Sequence, residues 1–190
     1  MSNPWDRPPY PTRGDTHADE TYAAIGRVLS AWEAVESELS VLFAVFKGRR
    51  YDLEIYETYY DVGKTTKNRI RAVENAAEQF FLKRPNQDLE GNFQTIMKSV
   101  CGFADRRHDC AHGIVQPIQW YLSLIPEHEV ETFTPWQFCV VPPQYQRSMF
   151  QKNPHAAPKH IYIAPQLLDF ETSIFTVGAT ITAFKRVIEG

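Results

Sequence analysis

The side chains best suited to chemistry lie within one short stretch, Asp105 to Gly113, which reads DRRHDCAHG. The stretch falls at the end of a predicted helix, in which each residue turns by about 100°. His108 and His112 should therefore lie on one face, one turn apart, with Arg107 beside that face. We expect all three to border the apolar seam of the helix.

An arginine beside histidines suits the chemistry of phosphate esters. Arginine is always charged and can hold a phosphate group through two parallel hydrogen bonds. Histidine titrates near neutral pH and can move protons in a reaction. RNA carries its own nucleophile, the 2′-OH, so a base and a phosphate clamp are enough to cleave it without a metal ion. The stretch therefore predicts binding or cleavage of RNA.

Two other roles fit the same residues. Cationic side chains near the C-terminus of a helix are stabilised by its dipole. Histidines four positions apart, as His108 and His112 are, also have the spacing of two metal ligands. A metal site needs a third ligand that the sequence does not fix. The candidates are Asp105, His17, His128, His155 and His160.

Glu36 is the other residue that the sequence singles out. It falls inside the apolar stripe of the first predicted helix, between Trp32 and Leu39. A buried carboxylate needs a partner, and we propose Arg107 or Arg106, which Glu36 would hold in place. The alternative is that Glu36 lies at the edge of the stripe and contacts water.

Four long amphipathic helices must position these side chains. Apolar residues recur at every third or fourth position in each of them, the spacing of a helix with one buried face. Gly48 suits the end of the first helix and Gly113 the end of the third, as a left-handed stop. A short segment, about 53–61, is either a helix or a link. The four predicted helices span about 15–46, 65–82, 88–113 and 165–189.

The segment 114–163 has a different pattern, with short runs of β-branched and aromatic residues separated by prolines. These runs predict two or three strands of a small antiparallel sheet, with a loop at about 142–158. Helices with one apolar face bury it best in a bundle. The predicted fold is therefore mainly α, a four-helix bundle with a small antiparallel β insertion between the third and fourth helices.

Composition limits the classes of protein that fit. The 190 residues fit one domain, over residues 15–190, after a flexible, proline-rich arm at 1–14. A net charge of −3 argues against a general coat for DNA. Three scattered cysteines fit a reducing compartment. The polar N-terminus is no signal peptide, and no apolar run approaches the length of a membrane span. We expect a cytoplasmic protein.

The sequence Arg107-His108-x-x-x-His112 resembles the motif of HEPN domains, an arginine followed by a polar residue and, a few positions later, a histidine. Arg107 matches the arginine of that family, His108 the polar position and His112 the histidine, and a following glycine such as Gly113 is common among relatives. The resemblance covers residues 15–113 and 165–189 loosely and leaves out the predicted strands. It implies a helical bundle that places the motif near the end of a long helix.

The resemblance also implies an activity. Many HEPN proteins are metal-independent endoribonucleases that form homodimers, and some act as toxins countered by an antitoxin or in antiviral defence. The implied catalytic residues are Arg107, His108 and His112, with Glu36, Arg106 and Asp109 in support, without cofactor or metal. The main alternative is an inactive HEPN-like module that binds a protein partner or RNA. A third is a metal-dependent enzyme built on the two histidines.

Overall fold

A computed structural model of the chain describes residues 3–62, 64–122, 135–142, 158 and 160–189. The chain divides into two compact units. Unit 1 comprises Met1–Ser30 and Asp105–Glu171, and unit 2 comprises Ala31–Ala104 and Thr172–Gly190.

The described part of the chain is mainly helical, with one two-stranded antiparallel sheet, as the sequence predicts. Its helices are α1 (Ala18–Phe46), α2 (Leu53–Asp61), α3 (Thr66–Lys83), α4 (Gln87–Ala111), α5 (Gln119–Leu122) and α6 (Ala164–Glu189). Its strands are β1 (Ile114–Pro117) and β2 (Phe138–Val141).

The predicted ends of the four long helices lie within three residues of the observed ends. The ambiguous segment is helix α2, whose first turn is capped because the Asp52 carboxylate accepts the Ile55 N–H at 2.9 Å. Gly48 follows α1 with a φ of 64°, the left-handed conformation that favours glycine. No other described residue has a positive φ. The predicted left-handed stop at Gly113 is therefore wrong.

Unit 2 is held together by an aromatic cluster to which four long helices contribute. The ring of Phe46, at the end of α1, lies 5.2–6.5 Å from each of the other rings of the cluster. These rings belong to Phe80 and Phe81 of α3, Phe93 of α4 and Phe184 of α6. The helix segments of this unit thus pack as a bundle, in which paired aromatic rings stabilise the core beyond the area that they bury.

Unit 1 contains the sheet. Strands β1 and β2 pair antiparallel in a register that sets Ile114 opposite Val141 and Pro117 opposite Phe138. The predicted third strand contributes a single bridge, between Val140 and Tyr162. A small buried cluster lies against the sheet and consists of Ile118, Cys139, Val141 and Ile161. Most of the loop predicted at 142–158 lies outside the described residues.

Residues 3–14, predicted as a flexible arm, contact the rest of unit 1. Tyr10 packs against the Ile118 cluster. The N–H of Gly14 donates to Gln137 Oε1 at 2.9 Å, and Gln166 Nε2 donates to the carbonyl of Pro9 at 3.0 Å. These contacts bring the N-terminal segment beside the sheet.

Helix α6 is long and apolar enough to cross a membrane, although the sequence analysis expects no such span. Its most apolar 18 residues have a mean hydropathy of 1.2, and 39% of that window is buried. Core helices of soluble proteins pass the same test of length and composition, so this finding alone is weak evidence for a membrane span.

Candidate functional site

The end of α4 has two chemically different sides within unit 1. Arg106 and Asp109 are 5% and 1% exposed and point into the unit. His108 and His112 are exposed, and Arg107 between the two sides is half-buried. The expectation that all three candidate catalytic residues border the apolar seam is therefore wrong for the two histidines, which are exposed, while Arg107 is half-buried.

The two histidines form a pair at the surface. Their ring centroids lie 4.7 Å apart with an angle of 56° between the ring planes. The N–H of His112 donates to the carbonyl of His108 at 3.3 Å, which continues the helical hydrogen bonding one residue past α4. Two neighbouring imidazoles that water and substrate can reach can act as a proton acceptor and a proton donor in one reaction.

Behind this surface lies a buried network centred on Asp109. Its Oδ2 accepts a hydrogen bond of 2.7 Å from the Tyr162 hydroxyl. Two guanidinium groups and one imidazole approach the same oxygen: Arg7 Nη2 at 3.3 Å, Arg106 Nη1 at 3.4 Å and His160 Nε2 at 3.6 Å. Burial and the adjacent charge of Asp109 raise the pKa of Tyr162, so this hydroxyl stays protonated and donates. The network anchors the helix end that carries the histidines.

The supporting residues predicted near the motif are thus brought together with others that sequence reasoning missed. Arg106 and Asp109 belong to the anchoring network and do not share the exposed face of the histidines. Tyr162, Arg7 and His160 were missed as members of this network. One signal was present for Tyr162, because a phenol inside an apolar run such as HIYIA must find a polar partner when it is buried.

Gly113 allows the strand β2 to lie close to the end of α4. A Cβ at this position would stand 2.5 Å from Val140 Cγ2 and 2.8 Å from the backbone oxygen of Asp109. The residue after His112 is therefore held to glycine by close packing and not by a left-handed backbone. This packing places the backbone next to His112 between the helix end and the sheet.

Cys110 has no nucleophilic role at neutral pH. Its side chain is 2% exposed. Burial raises the pKa of its thiol to about 12, with the charge of Asp109 adding to the effect. Because the thiolate is the reactive form, the cysteine within the motif serves packing.

The predicted pairing of Glu36 with Arg106 or Arg107 is wrong. Glu36 belongs to unit 2, where Arg69 Nε and Nη2 donate to its two carboxylate oxygens, each at 2.9 Å. The Tyr59 hydroxyl and Trp32 Nε1 complete the set at 2.8 and 3.2 Å. Glu36 is buried, as the position in the stripe indicates, and it fastens α1 to α2 and α3. Nothing in these contacts connects it with the chemistry of the histidine pair.

The described residues contain no group of three or more His, Cys, Asp or Glu side chains that could hold a metal ion. His160 lies beside Asp109, and His17 is exposed just before α1. Asp105 is exposed on α4, and the remaining two candidate ligands, His128 and His155, lie outside the described residues. Within the described ranges, only the pair of His108 and His112 supports the alternative of a metal-dependent enzyme.

A comparison of the chain with protein-family models, curated proteins and solved structures finds no match in any of the three.

Proposed function

We propose that this protein is a metal-independent endoribonuclease of HEPN type, with its active site at the end of α4. The observation that carries the proposal is the exposed pair of His108 and His112, with ring centroids 4.7 Å apart, beside a half-buried arginine. The resemblance of Arg107-His108-x-x-x-His112 to the HEPN motif supports the same assignment.

In the proposed reaction His112 accepts the proton of a ribose 2′-OH. The 2′ oxygen attacks the adjacent phosphorus, and the bond from phosphorus to the 5′ oxygen of the next nucleotide breaks. His108 donates a proton to that leaving oxygen. Arg107 holds the non-bridging oxygens of the phosphate and stabilises the charge that develops on them. The products are one fragment with a 2′,3′-cyclic phosphate and one with a free 5′-OH.

Asp109 and Arg106 act as positioning residues in this proposal. Neither lies on the exposed side of the helix end, and both are tied to Tyr162. They hold α4 so that the two histidines keep their distance. A catalytic pair needs such support, because small displacements of reacting groups reduce rates strongly.

The biological setting proposed with this activity follows the resemblance. The substrate is RNA in the cytoplasm, and the protein works as a homodimer that places two motifs in one cleft. It would serve as a toxin or as an effector of antiviral defence, with an antitoxin or another protein as partner. Neither a cofactor nor a membrane enters this proposal.

The test is cleavage of a mixed RNA substrate by the purified protein, with and without a chelator. We expect cleavage in the presence of the chelator, with products that end in a 2′,3′-cyclic phosphate. His112→Ala and Arg107→Ala should not cleave the RNA. The matched control is His17→Ala, which removes an exposed histidine of the same unit and should cleave as the wild type does. Circular dichroism establishes that each variant is folded. Equal cleavage by folded His112→Ala and wild type would contradict the proposal.

A second candidate is a non-catalytic module that binds a protein partner or RNA. The observation that favours it is an exposed aromatic pair in unit 1. Trp120 and Trp136 are each more than half exposed, and their ring centroids lie 6.1 Å apart. Exposed tryptophans are common at binding interfaces and can stack on bases. This candidate predicts binding of RNA without cleavage under the conditions of the same assay.

A further inference from the structure

An open groove of about 610 Å³ lies in unit 2 between α3 and α4. Its floor is formed by the buried side chains of Ala77, Phe81, Phe93 and Met97, which are 1–6% exposed. The exposed apolar side chain of the lining is Leu82 of α3, at 69%. Along α4 the lining residues run from Glu90 to Cys101, which corresponds to about 16 Å at 1.5 Å per residue. The groove is therefore long enough for about three turns of another helix.

The rim of the groove is mainly acidic. Glu74 and Glu78 stand one turn apart along α3, and Glu90 stands on α4, whereas Lys98 is the one cationic residue of the lining. Among the salt bridges within the described ranges, none involves Glu74, Glu78 or Glu90. The rim therefore presents three carboxylates beside an apolar floor, and Lys98 is the one cation of the lining that offsets them.

We infer that this groove binds an amphipathic helix of a partner protein, one whose apolar face is flanked by lysine or arginine. A bound helix places apolar anchors at positions i, i+3 or i+4, and i+7 into such a groove. That spacing covers about 10 Å and fits the length of the floor. Cationic residues beside the anchors would face Glu74 and Glu78, and the apolar anchors would cover the exposed side chain of Leu82.

Charge also decides between this partner and a second copy of the chain. In a two-fold symmetric pair the same surface faces itself. The two grooves would then bring six rim carboxylates, three from each copy, into one interface with only two lysines, Lys98 of each copy, and this excess of negative charge opposes pairing. A basic helix removes that repulsion. The inference is independent of RNA cleavage and of the histidine pair.

Cys101 provides a reporter at this surface, since it lines the groove and is exposed. The other two cysteines, Cys110 and Cys139, are buried, and burial raises the pKa of each thiol to about 12. A thiol reagent at neutral pH will therefore modify Cys101 first. Protection of this thiol measures occupation of the groove in the intact, otherwise unlabelled chain.

The probe is a synthetic peptide of about 18 residues, made of leucine and lysine, with the leucines on one helical face. We expect this peptide to bind and to slow the modification of Cys101. Glu74→Gln/Glu78→Gln should weaken binding about three- to tenfold, because exposed ion pairs contribute little individually. The matched control Glu57→Gln/Asp61→Asn removes two charges from the exposed surface of α2 and should change binding less than twofold.

Three results would overturn the inference. The first is equal binding of a peptide with the same composition in scrambled order, or of one with glutamate in place of lysine. The second is equal weakening by both double variants, or binding that leaves Cys101 unprotected. The third is protection of Cys101 that rises with the concentration of the protein in the absence of peptide, together with dimer formation in sedimentation. A second copy of the chain would then occupy the groove.

Discussion

The two units each bury one carboxylate among polar partners, and they do so in different ways. In unit 2 both oxygens of Glu36 are used. Arg69 donates to each oxygen at 2.9 Å, Tyr59 adds a hydrogen bond to one and Trp32 to the other. This is the two-pronged geometry in which arginine and carboxylate interact most strongly. The network joins three helices through a fully buried charge.

In unit 1 the contacts converge on a single oxygen. Asp109 Oδ2 receives a hydrogen bond from Tyr162 at 2.7 Å, while Arg7, Arg106 and His160 approach it at 3.3–3.6 Å. Single guanidinium contacts at such distances are weaker than a two-pronged pair of arginine and carboxylate. Arg7 is also 39% exposed and can be hydrated when the contact is lost.

The difference indicates that the buried carboxylates of Glu36 and Asp109 have different roles. The Glu36 network supplies stability, because removing its carboxylate would leave the mostly buried guanidinium of Arg69 without a counter-charge. The Asp109 network spreads weaker contacts over a helix end, a sheet residue and the N-terminal segment. It stands behind the histidine pair, so its main effect is on the position of those side chains. Substitutions in the two networks can test this division.

The largest effect is expected for Glu36→Gln. The substitution leaves Arg69 charged and without its counter-charge, and breaking a buried pair in this way costs about 3–5 kcal/mol of the free energy of unfolding. Urea denaturation followed by circular dichroism measures the loss. Glu57→Gln, on the exposed face of α2, is the matched control and should stay within about 0.5 kcal/mol of the wild type. A loss below about 1 kcal/mol would contradict the conclusion that the Glu36 network supplies stability to unit 2.

Asp109→Asn should cost less, about 2 kcal/mol. The amide keeps an acceptor for the Tyr162 hydroxyl. The buried guanidinium of Arg106 loses its counter-charge at 3.4 Å but keeps its hydrogen bond to the Tyr162 hydroxyl at 3.2 Å, which limits the cost. Asp105→Asn removes an exposed carboxylate from the same turn of α4 and serves as its control. If the proposed function holds, Asp109→Asn cleaves RNA more slowly than the wild type even under conditions where the variant is fully folded. A stability loss equal to that of Glu36→Gln would remove the distinction between the units.

The loss of stability in acid should depend on the protonation of the Glu36 carboxylate. Burial alone would raise the pKa of this carboxyl, but hydrogen bonds from Arg69, Tyr59 and Trp32 and the charge of Arg69 outweigh burial and lower the pKa below its ordinary value of 4.5. The stabilisation is complete above pH 4.5 and is lost as the pH falls toward the lower pKa of the folded state.

Unfolding free energies of the wild type and Glu36→Gln at several pH values test this dependence. The difference between the two should be constant from pH 7 to about 5. Below pH 4.5 it should shrink by about 1.4 kcal/mol per pH unit until the pKa of the folded state is reached. A difference that stays constant down to pH 3 would show that Glu36 does not titrate in the unfolding transition.

These two networks also show which features of the structure can be predicted from the sequence. The helices were predictable because each one buries a face that recurs at helical spacing, and that spacing also indicated that Glu36 is buried. Its partner was not predictable. Arg69 lies 33 residues away on a different helix, and its sequence neighbourhood, with Lys67 and Arg71, reads as an ordinary solvated face. Only the packing of α1 against α3 selects one arginine from the 20 lysines and arginines of the chain.

For the candidate site, the local part was predictable and the distant part was not. His108 and His112 share a face because of their spacing along α4, and the structure places their rings together. Tyr162 and Arg7 lie 53 and 102 residues from Asp109 along the chain. No local periodicity connects such positions. A buried aspartate inside the pattern from Arg107 to His112 gives no sign of which distant groups will cover it.

The smallest effect is expected for Arg7→Ala, about 0.5 kcal/mol. The ion pair with Asp109 is single, 3.3 Å long and partly exposed on the arginine side, which places it near the range of surface pairs. Such a loss lowers the melting temperature of a chain of this size by about 1–2 °C. Arg50→Ala, which removes an exposed arginine elsewhere, is the control for the change in net charge.

A double-mutant cycle decides what the contact of Arg7 contributes. If Arg7 acts on stability through Asp109, Arg7→Ala should have no further effect in the Asp109→Asn background, and the coupling energy should be about 0.5 kcal/mol. If Arg7→Ala costs the same in both backgrounds, the N-terminal segment is held by other contacts, such as those of Tyr10 and Gly14. Asp109 would then rely on Tyr162 and Arg106, and its network would be more like that of Glu36 than the distances suggest.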